Sequence, residues 1–91
     1  MYLNNLRDLI KNNHLLERYN LKQIGIFGSI ARGENGNDID ILIEEEKDYR
    51  DLILFKEELE KISKTKVDIV LYKYANPIVL YRAKKEIVYV N

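Results

Sequence analysis

Apolar positions along the chain recur in two rhythms, and their alternation sets the expected order of elements. Leu3, Leu6, Leu9, Ile10 and Leu16 fall at helical spacing among Asn, Lys and Arg, which predicts an amphipathic helix over Tyr2–Arg18. Ile24-Gly25-Ile26-Phe27 is a short strand-type run ending at Gly28-Ser29, and Ser29 to Gly33 is expected to open a short helix. Asn35-Gly36 is a turn signal. Asp38-Ile39-Asp40-Ile41-Leu42-Ile43 reads as a second strand, apolar on both faces towards its end, as in a central strand covered by helices. Leu52, Ile53, Phe55, Leu59 and Ile62 mark a helix over Tyr49–Ser63, and Val67–Tyr72 is a third strand. Asn76-Pro77 combines a capping side chain with a residue suited to the first helical position, so a helix is expected over Pro77–Lys84. Ile87–Val90 closes the chain as a short strand. The expected fold class is α/β (α+β), a small mixed β-sheet flanked by helices.

Composition narrows the classes. The 91 residues carry 15 basic and 15 acidic side chains, with 46% hydrophobic and 33% charged residues, a globular mixture rather than a disordered one. No repeat, low-complexity tract or linker divides the chain, so one domain over residues 1–91 is expected. Charge neutrality argues against direct nucleic-acid binding, which needs an excess of Lys and Arg on one face. The absence of cysteine removes disulfides, thiolate nucleophiles and Cys-ligated metals. No apolar run approaches a membrane span, and Met1 to Arg7 lacks a basic stretch leading into an apolar one, so a cytoplasmic location and no membrane partner are expected. A domain of this size buries only about 60–65% of its unfolded surface. Its site is therefore expected on an open face, completed by a second protein or a large substrate.

Candidate chemistry lies at three places. Gly28 lets the backbone turn sharply after a strand, and Ser29 follows where free N–H groups and a hydroxyl form a phosphate cradle. Asp38 and Asp40 sit in a strand, where aspartate is disfavoured. At positions i and i+2 they share one face, roughly 6.6 Å apart. Asp68 interrupts the third strand, Val67-Asp68-Ile69-Val70-Leu71. Like charges gathered on one small sheet are costly unless a cation sits between them. Convergent carboxylates suit Mg²⁺, which completes its shell with waters and substrate phosphates. A pair of such ions stabilises the attacking and leaving oxygens of an in-line displacement at phosphorus. The reaction class these residues point to is nucleotidyl transfer.

Gly28-Ser29-Ile30-Ala31-Arg32-Gly33-Glu34, Asp38-Ile39-Asp40-Ile41-Leu42-Ile43 and Lys66-Val67-Asp68-Ile69-Val70 together resemble the minimal nucleotidyltransferases of the DNA polymerase β superfamily. Within them, the chain is most similar to the MntA-like antitoxins paired with HEPN-domain toxins. The resemblance covers nearly the whole chain. It implies that Gly28 and Ser29 hold the triphosphate of ATP, that Asp38 and Asp40 bridge two Mg²⁺ ions, and that Asp68 completes the metal site and helps deprotonate the attacking hydroxyl. It also implies transfer of AMP to a tyrosine of a HEPN ribonuclease, with a hetero-oligomer of the two proteins as the assembly. One departure stands out: only Glu34-Asn35-Gly36-Asn37 separates Gly33 from Asp38, where family members usually have about two more residues and Ser before the first aspartate.

Other residues carry two readings each. Arg32 is placed either to contact a triphosphate oxygen or to pair with Glu34. Tyr72 and Tyr74 line an adenine site or an interface, or else simply pack, which is the expectation here. His14 is expected on a solvated face, Glu44-Glu45-Glu46 in a solvated turn. The rival to an enzyme is a non-catalytic antitoxin that neutralises a HEPN ribonuclease by docking.

Overall fold

Alternation within the strands splits the sheet into two unlike faces. The computed structural model describes all residues 1–91. Strands β1 (Ile24–Phe27), β2 (Asp38–Ile43), β3 (Lys66–Leu71) and β4 (Val88–Val90) form one mixed sheet ordered β3-β2-β1-β4. β1 is antiparallel to both β2 and β4, whereas β2 and β3 are parallel. Parallel neighbours require a crossover, which helix α3 (Tyr49–Ser63) supplies.

One face carries Ile24, Ile26, Ile39, Ile41, Ile43 and Val67 into the main core. They pack with Leu6 and Ile10 of α1 (Leu3–Asn12), Leu15 and Leu16 of α2 (Leu15–Arg18), and Leu52, Phe55 and Leu59 of α3. The opposite face carries Asp38, Asp40, Leu42 and Asp68. Its far end is closed near α4 (Pro77–Glu86), where Ile87 lies against Gly25 and both Leu42 and Ala83 are buried apart from the main core. The acidic end stays open.

The leading helix differs from expectation. It breaks after Asn12 and resumes at Leu15, with His14 in the left-handed region at φ 51°. A continuous helix continuing the Leu6–Ile10 stripe would turn Asn13, His14 and Glu17 inward and leave Leu15 off it. The break instead buries both Leu15 and Leu16, and the Asn13 side chain donates to the Leu9 carbonyl at 2.8 Å to close the first segment. Residues 29–33 form no regular helix but a single wound turn, held by Arg32 N–H to the Gly28 carbonyl at 3.2 Å and Glu34 N–H to Ser29 at 3.0 Å. Tyr72 leaves the third strand for a 3-10 turn over Tyr72–Tyr74, and α4 runs on to Glu86.

The cap read from sequence at Asn76 is present, and the structure adds a second at Asp48. Asn76 accepts from Ile78 N–H at 2.8 Å with Pro77 in the first turn, and Asp48 accepts from Arg50 N–H at 2.8 Å. Asn76→Ala is expected to cost about 1 kcal/mol of stability, measured by denaturant melts.

Candidate active site

Strand register brings the three aspartates together. Asp40 lies directly beside Asp68 across the parallel β2–β3 pair, and Asp38 lies beside Lys66. Adjacent strands stand about 4.8 Å apart, so the two central carboxylates share one small area of the open face, with Asp38 a pleat away. β3 is an edge strand, which leaves Asp68 reachable from solvent, while Asp40 is half-buried and Asp38 exposed.

This crowding shows in the electrostatics. Burial pushes the Asp40 carboxyl above its ordinary value, and the charges of Asp68, Asp38 and Glu86 push it further, against a smaller opposing pull from Arg32. The carboxylates as placed do not close on a single point as a metal-binding group of three. Asp68 instead stands 3.8 Å from Lys66 Nζ, an exposed pair that a rotamer change releases. Three oxygen-donor side chains, one holding its charge at a cost, match what a hard divalent cation takes.

The Gly28-Ser29 turn adjoins the acids. Gly28 has φ 77°, and a Cβ built there would fall on the Asp40 carboxylate, so only glycine lets the turn pass this close. The amides of Ser29, Ile30 and Ala31 donate to no protein acceptor, while the Ile30 side chain is buried and fixes the turn. Three unspent N–H groups at a wound turn are donors of the kind an anion takes. The short connection is absorbed without disturbing the sheet, since Phe27 still pairs with Asp40. Gly36 permits it: a Cβ there would stand 2.5 Å from Ile30 Cγ1 and 2.7 Å from Ser29 Oγ. Met1 braces the same turn, its carbonyl accepting from Gly36 N–H at 3.0 Å.

Arg32 makes the expected pair with Glu34, Nε to Oε2 at 2.9 Å, and a second with Glu86, Nη1 to Oε2 at 2.7 Å. Both carboxylates raise the guanidinium pKa. Glu86 is the residue that sequence reading missed; it stands 54 positions away, and only the packing of α4 brings it in. Tyr72 and Tyr74 are exposed rather than packed, at 47% and 77%, which reverses the expectation for them. They sit past the far end of β3, whereas Asp68 lies near its start. His14 is exposed as expected and pairs only with Glu17. Glu44 and Glu46 are tied to Lys84 and Lys73.

Comparison with known proteins agrees with this fold. Residues 5–90 match the family described as Polymerase beta, Nucleotidyltransferase. The chain is similar to a protein adenylyltransferase of Methanocaldococcus jannaschii, 39% identical over 78 residues that make up 81% of this chain and 84% of the relative. Among solved structures, a minimal nucleotidyltransferase matches with a TM-score of 0.71 and 27% identity, covering 97% of this chain and 95% of that one. A toxin-antitoxin crystallised with AMP-PNP matches with a TM-score of 0.68 and 25% identity, covering 93% of this chain and 71% of that one.

The raised Asp40 pKa has a testable sign. The unfolded chain releases this proton near the ordinary value of 3.8, before the folded chain does. Ionising Asp40 therefore costs stability as pH rises from that value through the raised one, and the full penalty stands above it. In metal-free buffer, Asp40→Asn is expected to be more stable than wild type at about pH 7 and equal to it near pH 3, by denaturant melts.

Proposed function

The chain belongs to the polymerase β nucleotidyltransferase family, and from that membership we propose that it is a Mg²⁺-dependent protein adenylyltransferase acting on a HEPN-domain toxin. AMP passes from ATP to a tyrosine of the toxin, which is thereby silenced. The observation that carries this reading is the register that sets Asp40 beside Asp68, with the unspent amides of Ser29, Ile30 and Ala31 next to them. Similarity to a protein adenylyltransferase supports the reaction, and similarity to a toxin-antitoxin crystallised with AMP-PNP supports ATP as substrate and a toxin as partner. None of the helices is long and apolar enough to cross a membrane, and the proposed setting is the cytoplasm.

Each residue takes a role in this reading. The amides of the Ser29 turn and the Ser29 hydroxyl receive the triphosphate. Asp38, Asp40 and Asp68 are the side chains that would hold two Mg²⁺ ions, which when bound supply charge stabilisation at the phosphoryl oxygens. Asp68, on the open edge strand, is the acid an incoming hydroxyl reaches, and it takes the tyrosine proton. The tyrosine oxygen bonds to the α-phosphorus while the bond from that phosphorus to the bridging oxygen breaks, and pyrophosphate leaves. Little covalent work falls to the protein; positioning and electrostatics dominate.

A protein acceptor is supported by the surface as well. Tyr72, Tyr74, Ile78, Val79 and Tyr81 are all at least 40% exposed, so large apolar side chains concentrate on the 3-10 turn and α4. Such exposed side chains suit contact with another protein. It also suits the rival reading, neutralisation by docking alone, and the two differ in stoichiometry. With labelled ATP, Mg²⁺ and the toxin, a sub-stoichiometric amount of the protein is expected to label the toxin and abolish its ribonuclease activity. Asp38→Asn with Asp40→Asn is expected to lower the labelling rate at least ~10²-fold. Inhibition that needs one copy per toxin and survives both substitutions would establish docking instead.

A further inference from the structure

We propose that Glu86 is a positioning residue for nucleotide binding, which holds Arg32 so that the free edge of its guanidinium faces the triphosphate. This rests on the adenylyltransferase reading above and adds to it a residue on a separate element.

Arg32 is built into the same turn as the unspent amides, since its own N–H bonds the Gly28 carbonyl at 3.2 Å. Its guanidinium carries five N–H donors. Nε is taken by Glu34 at 2.9 Å and one donor of Nη1 by Glu86 at 2.7 Å. That leaves three donors, the second of Nη1 and both of Nη2, to meet phosphate oxygens while both carboxylates stay bound.

The two carboxylates differ as anchors. Glu34 lies two residues from Arg32, with its side chain 58% exposed. Glu86 is only 22% exposed and ends α4, so it ties the cradle turn to a packed helix. Arg32 itself is 49% exposed and, without that tie, keeps the rotamer freedom of a long surface side chain.

Electrostatics gives the inference a distinctive sign. Glu86 is an anion close enough to raise the Asp40 pKa, on the rim of a site for a highly anionic ligand. If its charge were all that mattered, removing it would tighten ATP binding. A positioning role predicts the reverse.

The test is calorimetric titration of ATP with Mg²⁺ into wild type, Glu86→Ala, Glu86→Gln, Arg32→Ala and the Arg32→Ala, Glu86→Ala double variant, with thermal melts of each. Glu86→Ala is expected to weaken ATP binding about tenfold. Glu86→Gln, which keeps an acceptor oxygen, recovers part of that loss. The double variant binds no more weakly than Arg32→Ala alone, because the effect of Glu86 passes through Arg32. In turnover, KM for ATP rises more than kcat falls. ATP binding by Glu86→Ala that equals or exceeds wild type overturns the inference, as does a further loss in the double variant. If Glu86→Ala melts early, Glu86→Gln decides on the same criterion. A wild type that binds no ATP overturns the adenylyltransferase reading and this inference with it, whereas failure of the variants alone leaves that reading standing.

Discussion

The sheet holds like charges next to each other where apolar side chains would pack at no electrostatic cost. Parallel pairing of β2 with β3 fixes Asp40 against Asp68, and the pleat puts Asp38 on the same side. A slip of one residue would turn these acids into the core and the isoleucines out, so the apolar face locks the register that crowds the acids. The energy that opposes carboxylate repulsion therefore comes from the other side of the sheet, through Ile39, Ile41 and Val67, all fully buried. A charged site built this way is preorganised by the core and needs no polar scaffold of its own.

The surroundings extend the same logic. On one side, Gly28 lets the cradle turn close against Asp40, and buried Ile30 pins that turn. On another, α4 brings Glu86 to Arg32 and so connects the helical cover to the turn that follows Gly28. The third side, beyond edge strand β3, stays open. Under the proposed function, that opening is the side from which the acceptor protein would reach Asp68.

Much of this was legible in the sequence, for identifiable reasons. Period-two alternation in Asp38–Ile43, with apolar residues on both faces at its end, marked a central strand, and β2 is one. The aspartates stood out because strand propensity and burial both argue against them. What escaped detection depended on packing across distance. Glu86 sits among ordinary helix charges until α4 is docked. The break at His14 was visible only as a slip of the apolar stripe from Ile10 to Leu15, which a count of helical spacings passes over. Residues 29–33 form one wound turn rather than a helix, bounded by Gly28 and Gly33, both at positive φ, with Ile30 buried in the core. Tyr72 and Tyr74 read as packed aromatics from composition, yet the chain leaves the sheet at Leu71 and carries them to the surface.

The central claim is that the fold forces these carboxylates together against their charge. NMR titration of the Asp40 carboxyl carbon in metal-free protein tests it most directly, in wild type and in Asp68→Asn. The account predicts a wild-type midpoint above the ordinary aspartate value that falls when the Asp68 charge is removed. An ordinary midpoint, unmoved by Asp68→Asn, would contradict it.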